Sequence, residues 1–600
     1  MYTATVNGKQ LDLGDVQISM TLKNPMFDPN MGMESTASFP FKLPNTPKNM
    51  AALGFPARLS KEMPWQIDFD FEHRFGAIRL PGTQLRILKV SEKEIEAYIK
   101  IGRSEFLSVT KDKTLRDLAF EEETLVDHAT PDVDQNEIKK WLLSTTPMEY
   151  SAAFPMVKNL GLFSASEFTT PWWDGSGAGP YQNCYSLAGK HWADAIHNTP
   201  DYGRIPAVSP MPWLVTVLNK IFEEASTQIL SNEFESNPVL KRLCIYNPVI
   251  VKFYNQGIDR QMKFHLNNHL PKITIATFLS ALRVPFGIDT YFHHIRKEVR
   301  LVSRDSIISS TEPPVEFSDK VNRARITFLE IPALNYTFSM KSDDNDNLWQ
   351  QSMMMSKTQT LAEPGSVMYF PMLPSDQPLN SVCLVINENW WYVFKEDENL
   401  LGTYLWVRFS YNFQDAIIGT GDMKFEAPIA PLVTLSEVPF CHDGDMGEIV
   451  LPAVELLGNN QNNPIYPGLE LSDFTLRLLF YHGLKADGVD NTYYPYATSL
   501  FPTVYATPGP QTFDMSWRSP EEITAFPQFG LYQNFWKNWV EWRKKTTQVE
   551  IEKNMTPMEL ANLDFTKKYK INESQFILDE LNFTVSLNSI QPAKIKAWTV

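Results

Sequence analysis

The strongest candidates for metal chemistry are two histidines four residues apart. On a helix, His265 and His269 would share one face, where two imidazoles can bind one zinc ion. The glutamate that acts as general base in HExxH is missing, and Pro271 follows directly. We therefore expect two structural histidines here. The adjacent pair His293-His294 falls in a predicted strand, where neighbouring side chains point to opposite faces and do not suit one ion.

One short segment carries the residue types of a nucleophile, a base and an orienting carboxylate. These are Cys441, His442 and Asp443. A catalytic triad is assembled in space, so adjacency in sequence does not indicate one. Asp443, Asp445 and Glu448 could instead hold a small cation, but a plain loop is the favoured interpretation.

An oxygen-rich loop, SDDNDN, occupies residues 342–347. Its carboxylate and amide oxygens could hold a cation, yet it lacks the glycine and the terminal glutamate of a calcium loop. The sequence therefore favours a solvated turn.

The cysteines do not form a recognisable site. The chain contains no CxxC pair, which favours four ordinary buried thiols over a disulfide framework or a zinc site. It also lacks GxSxG, GxxxxGK[ST] and a GxGxxG that opens a helix. We accordingly predict no catalytic, cofactor-binding or metal-binding residues, no cofactor and no enzyme activity. The cysteines are Cys184, Cys244, Cys383 and Cys441.

Composition limits the possible partners. The net charge of −16 disfavours a protein that grips nucleic acid through its phosphates, although a carboxylate-lined conduit that DNA merely passes is compatible with it. No segment approaches the ~20 apolar residues of a membrane helix, and the N-terminus lacks a signal-peptide pattern. We expect a soluble chain made in a cytoplasm. At ~100–200 residues per domain, 600 residues predict several domains.

The middle of the chain has the clearest local signals. An apolar stripe from Leu214 to Ala225 predicts an amphipathic helix. Thr274 is the expected N-cap of a second helix, and Pro285 and Gly287 are expected to end it. Two β-rich segments then predict a hairpin around Arg296.

Most of the remaining chain is typical of short strands. Asn7-Gly8 predicts a hairpin turn, the alternation of Ile67, Phe69 and Phe71 predicts a half-buried strand, and Thr46 should cap one small helix. Two further elements are expected in the 121–210 segment: a helix at 135–145 and an aromatic, glycine-rich loop at 172–189.

The C-terminal part combines strands with one aromatic helix. We expect a long loop from 484 to 517, and then a helix whose tryptophans, Trp536, Trp539 and Trp542, pack in the core. Asn572-Glu573 should form a turn between strands. The fold class predicted from the residues is mainly β and multidomain, with a central α+β unit. The predicted division is 1–120 (a strand-rich barrel or sandwich), 121–210 (mixed insertion), 211–310 (helices and hairpin), 311–425 (second β-rich segment) and 426–600 (β-rich with one helix).

Several blocks of sequence occur in a characteristic order. They are LKNPMFDPN and FPFKLPNTPKNMAALGFP near the start; PMPWLVTVLNKIFEEA, LKRLCIYNP and HLPKITIATFLSALRVPFGIDTYF in the middle; LRLLFYHGL; and FGLYQNFWKNWVEW and LANLDFTKKYKINESQFILDELNF at the end. In this order they resemble tail-hub or baseplate-hub structural proteins of tailed bacteriophages, particularly the long versions in phages of Bacteroidetes-type hosts. The segment 121–210 matches nothing in that pattern.

The resemblance implies a structural role in a virion. It implies two tail-tube-like β-barrels around the central helical unit, assembled as a trimeric or hexameric homo-oligomeric ring. The ring would contact other tail proteins, seal the conduit and pass DNA without binding it specifically. Two alternatives stay open, namely a receptor- or carbohydrate-binding tail protein and, more weakly, a tail-associated cell-wall hydrolase.

Overall fold

The computed structural model describes the chain in separate stretches. They are residues 1–27, 38–56, 68–126, 149–159, 181–183, 208–249, 251, 253–256, 259–317, 325–329, 336–341, 343, 346, 382–385, 390–396, 404–409, 416–418, 423–437, 449–456, 474–486, 493–499, 515, 517 and 530–600. The predicted helix at 135–145 and nearly all of the predicted aromatic loop at 172–189 lie outside these residues.

Strands dominate the described residues. The first group is β1 (Tyr2–Val6), β2 (Lys9–Gln10), β3 (Ile18–Lys23), β4 (Phe41–Pro44), β5 (Phe69–Phe75), β6 (Ile78–Arg79), β7 (Gln84–Val90), β8 (Glu94–Lys100), β9 (Glu122–Val126), β10 (Ala152–Ala153), β11 (Val157–Asn159), β12 (Tyr181–Gln182), β13 (Met211–Pro212), β14 (Gln228–Asn232), β15 (Leu243–Ile245), β16 (Phe253–Gln256), β17 (Asp259–His265), β18 (Ile288–Phe292) and β19 (Glu298–Ser303). The second group is β20 (Val315–Glu316), β21 (Arg325–Phe328), β22 (Tyr336–Met340), β23 (Val382–Val385), β24 (Trp390–Glu396), β25 (Tyr404–Phe409), β26 (Ala416–Ile418), β27 (Met423–Ala427), β28 (Val433–Glu437), β29 (Ile449–Val454), β30 (Leu478–Ala486), β31 (Tyr493–Thr498), β32 (Gln548–Lys553), β33 (Lys568–Ile571), β34 (Ser574–Val585) and β35 (Ala593–Thr599).

The helices are short and scattered between the strands. They are α1 (Pro47–Ala52), α2 (Arg103–Thr110), α3 (Leu214–Glu224), α4 (Glu233–Ser236), α5 (Ile275–Phe286), α6 (Arg304–Ser309), α7 (Lys537–Lys545) and α8 (Pro557–Ala561). A π-helical turn, Tyr532–Trp536, leads directly into α7. The chain is therefore mainly β with several sheets, as predicted.

The N-terminal sheet follows from local signals. Its strand order is β2-β1-β5-β7-β8-β4, and β6 also pairs with β5. Asn7 and Gly8 both have positive φ, 48° and 75°, as the tight turn between β1 and β2 requires. The predicted hairpin is confirmed. Phe69 and Phe71 are buried as the alternation predicted, while Ile67 lies outside the described residues.

A second seven-stranded sheet joins the two ends of the chain. Its order is β20-β33-β34-β35-β32-β21, and β3 pairs antiparallel with β34, so residues 18–23 lie beside residues 580–585. Asn572 and Glu573 form the predicted turn between β33 and β34, with φ of 50° and 74°. The division into five segments stays a prediction.

The central helices are confirmed. α3 buries Leu214, Leu218 and Phe222 on its apolar face. The Thr274 hydroxyl accepts a hydrogen bond from the Thr277 amide and caps α5 as predicted.

Of the two residues predicted to end α5, only Gly287 does so. Gly287 is the left-handed C-cap with φ 58°, and an added Cβ would lie 2.9 Å from the Phe535 carbonyl oxygen. Pro285 instead lies inside α5. A helix tolerates a proline where its neighbours supply packing that offsets the lost hydrogen bond, and Pro285 is buried in the core.

The predicted hairpin follows α5. β18 and β19 pair antiparallel, with Arg296 in the connection, and β14 adds to β19 in parallel. β14 lies at one edge of this three-stranded sheet.

The C-terminal tryptophans pack in the main core as predicted, Trp536 and Trp539 as buried side chains and Trp542 as a partly buried one. Trp536 is fully buried, and its Nε1 donates to the Val284 carbonyl oxygen at 2.8 Å. The predicted loop 484–517 was wrong in its first part, because β30 continues to Ala486 and pairs with β31. Buried Tyr494 and Tyr496 explain why these residues form a strand.

Candidate functional site: a histidine-lined cleft

The histidines with zinc-like spacing do not share a helix face. His265 ends β17 and is half exposed, whereas His269 is buried in a short 3-10 turn. The Asn247 amide donates to Nδ1 of His269 at 2.8 Å, and burial lowers the pKa of His269 to about 3. His269 is therefore a neutral core histidine, as the sequence favoured.

The other histidine pair lies in a loop rather than in a strand. His293 and His294 follow β18, and their rings are 6.4 Å apart. The strand prediction was wrong because the chain turns back towards β19 at this point. Both rings line a cleft.

The cleft brings together distant parts of the chain. It is a cavity of about 60 Å³ that is partly open to solvent. Its walls come from the end of β3, the β18–β19 hairpin, Leu230 on β14 and the segment 563–565. The charged or ring-bearing lining residues are Lys23, Tyr291, Phe292, His293, His294, Glu298, Arg300, Asp564 and Phe565.

The local backbone sets the protonation of His293. Its Nδ1 accepts hydrogen bonds from the Ile295 and Arg296 amides at 3.0 and 3.1 Å, so the neutral ring carries its proton on Nε2. Burial lowers the pKa of His293 and lowers that of His294 to about 4. Both rings are thus neutral at pH 7.

The cleft walls carry equal numbers of positively and negatively charged side chains. Arg300 pairs with Asp564 and also donates to the Thr566 hydroxyl at 3.3 Å. Glu298 lies 3.6 Å from Arg296, and Lys23 at the end of β3 is exposed. The lining therefore offers donors and acceptors without a strong excess of either charge.

A buried ionic network supports the hairpin that lines the cleft. Asp289 on β18 accepts from Arg283 at 2.7 Å and from Arg304 at 2.8 Å, and all three side chains are buried. Burial opposes ionisation of Asp289, but the Arg304 and Arg283 guanidinium groups outweigh it and hold its pKa below the usual value. Arg283 also donates to the Pro25 carbonyl oxygen at 2.8 Å. The network thereby fixes the N-terminal segment to the central helices.

Aromatic rings complete this network. The Arg304 guanidinium lies 4.6 Å from the Trp536 ring centre and 5.1 Å from that of Trp539. Such contacts stabilise a desolvated cation. The network therefore joins the N-terminal, central and C-terminal parts of the chain.

The oxygen-rich loop does hold a cation, but the cation is an arginine side chain. Asp343 and Asp346 are buried and lie 2.6 and 3.1 Å from the Arg477 guanidinium. The predicted solvated turn was wrong for these two residues. A carboxylate survives burial when it is paired, and Arg477 supplies the pair from beside β30.

The cysteine predictions are tested at one position. Cys244 is a buried free thiol, and burial raises its pKa well above the usual range. Cys184 and the whole segment 438–448, including Cys441, His442, Asp443, Asp445 and Glu448, lie outside the described residues.

The described part of the chain offers no obvious catalytic chemistry. None of its His, Cys, Asp and Glu side chains form a group of three that could hold a metal ion. Its helices are too short or too polar to cross a membrane. The carboxylates on the lining of the cleft, Asp564 and Glu298, each pair with one arginine, Arg300 or Arg296, which leaves other acceptor positions on each carboxylate.

Comparisons with known proteins assign no family to the chain. No family model matches the chain. No curated protein matches it either. Its structure is similar to the crystal structure of a 43 kDa tail protein of prophage MuSo2 from Shewanella oneidensis, over 99% of this chain and 97% of that one, with 8% identity and a TM-score of 0.30. A TM-score this low does not establish a shared fold, so no residue role is transferred.

Proposed function

We propose that the chain is a structural component of a phage tail, specifically the hub that forms a ring around the DNA conduit. It would link the tail tube to distal or adhesion parts and reside in the virion tail after synthesis in the host cytoplasm. The order of the sequence blocks supports this role. The mainly β fold is compatible with it.

One structural observation carries the assembly part of the proposal. β21 ends the seven-stranded sheet, and no other strand among the described residues pairs with it beyond β32. Phe328 on β21 is 72% exposed. An open edge that presents a large apolar side chain favours association with another chain, because pairing satisfies the backbone and buries the ring. In a ring, the neighbouring subunit would supply that partner.

The charge of the chain agrees with a conduit. A net charge of −16 repels phosphate, which lets DNA pass without adhering. The ring would be a trimer or hexamer whose other contacts are tail proteins. We infer no enzymatic step.

Replacing Phe328 by aspartate should weaken assembly. The change adds a charge to an exposed edge strand and removes the apolar ring, so association should fall while the fold remains. The measurement is the mass in solution by light scattering, where the variant should shift towards the 68.8 kDa monomer.

Met558→Asp is the matched control. Met558 is 53% exposed on α8, outside β21 and its partner strand β32, and its replacement should leave the mass of the assembly unchanged. Equal masses for the wild type and Phe328→Asp would show that β21 is not part of the interface.

A further inference from the structure

The cleft lined by His293 and His294 has the features of a ligand site. Ligand pockets are mostly apolar and aromatic, with a few polar groups that fix orientation. Tyr291 and Phe565 belong to the lining of this cleft, and His294 packs edge-on against Phe565 with ring centres 5.6 Å apart. The His294 ring thus packs directly on the apolar wall of the cleft.

The polar groups of the cleft select for a neutral molecule. Two cations, Lys23 and Arg300, are balanced on the lining by two carboxylates, Glu298 and Asp564. A phosphate or another anion would meet the carboxylates, and a cation would meet Lys23 and Arg300. Neither sign of charge is favoured, so the ligand should carry none.

The hydrogen-bonding groups of the cleft further limit the chemical class of the ligand. His293 carries its proton on Nε2, which makes that atom a donor, while the carboxylates of Glu298 and Asp564 are acceptors. A ligand that carries hydroxyls satisfies both kinds of group, since each hydroxyl both donates and accepts. A sugar ring combines such hydroxyls with apolar C–H faces that pack on aromatic rings.

We propose that this cleft binds a single neutral sugar unit of hexose size. The interior of about 60 Å³ takes one edge of the ring, such as its hydroxymethyl group, and the rest of the sugar lies in the open mouth. Leu230 on the edge strand β14 forms part of the rim and is 43% exposed. The site does not depend on ring assembly, so the sugar-binding proposal is tested independently of the hub proposal.

The experiment uses the full chain and ligand-observed saturation-transfer NMR. The probes are D-glucose, D-galactose and N-acetyl-D-glucosamine at millimolar concentration, with adenosine as a neutral aromatic comparison. At least one sugar should show transfer from the wild-type protein. Leu230→Arg should abolish that signal, because a long charged side chain at the rim enters the mouth of the cleft.

Leu88→Arg is the matched control. Leu88 is 50% exposed on β7 and does not line the cleft, so its variant should bind as the wild type does. A urea midpoint equal to that of the wild type shows that Leu230→Arg is folded. Absence of transfer to every sugar, transfer to adenosine alone, or equal loss in both leucine variants would each overturn the proposal.

Discussion

Replacing Asp289 by asparagine is expected to lower the free energy of unfolding by about 3–5 kcal/mol. The substitution keeps the side-chain shape but removes the one carboxylate between two buried guanidinium groups, those of Arg283 and Arg304. Two uncompensated buried cations then remain. The urea midpoint of the variant, compared with the wild type at pH 7, measures the loss.

Asp564→Asn is the matched control for this prediction. Asp564 also pairs with an arginine, but the two side chains are 24% and 34% exposed, so solvent screens the pair. The expected loss is below about 1 kcal/mol. Similar losses for both variants would show that the Asp289 network does not carry the stability assigned to it.

Lowering the pH is expected to destabilise the protein at pH values well above those at which carboxylates titrate. Burial lowers the pKa of His73 and His294 to about 4 and that of His269 to about 3, whereas an unfolded histidine titrates at about 6.5. Between these values the unfolded chain binds more protons than the folded chain, so stability falls as the pH falls. At pH 5 each buried ring should cost about 2 kcal/mol relative to pH 8.

Urea midpoints at pH 8, 6.5 and 5 test this dependence. His269→Gln should reduce the loss between pH 8 and 5 by about 2 kcal/mol, the contribution of one buried ring. His265→Gln, which replaces a half-exposed ring, is the control for the substitution itself. Asp289 acts in the same direction only below pH ~4, because its folded pKa lies under the usual carboxyl value. An unchanged midpoint down to pH 5 would contradict the assignment of neutral buried histidines.

Local patterns predicted the elements that depend on neighbouring residues. The apolar spacing gave α3, the hydroxyl of Thr274 gave the start of α5, and Asn7-Gly8 and Asn572-Glu573 gave two tight turns. These signals work because helix faces, caps and turns are set within a few residues.

Contacts between segments that are distant in sequence were not predicted. An arginine inside a helix is usually solvated, so nothing near Arg283 indicated its burial against Asp289 and Arg304. A basic residue on an otherwise apolar helix face was the only available signal. The sequence around Asp343 and Asp346 predicts a solvated turn, because their partner Arg477 is far away in sequence.

The cleft could not be read from the sequence for the same reason. Lys23, His293 and Asp564 come from three distant segments, and the pairing of β3 with β34 brings the ends of the chain together. No periodicity within either strand specifies that pairing. In the predicted strand, His293 and His294 would point to opposite faces, so their adjacency does not predict a shared wall.

The mass of the purified wild-type chain in solution, by light scattering combined with negative-stain imaging, tests the hub proposal most directly. The proposal predicts a mass three or six times 68.8 kDa and rings with a central hole wide enough for DNA. A monomer at every concentration, with no rings in the images, would contradict it.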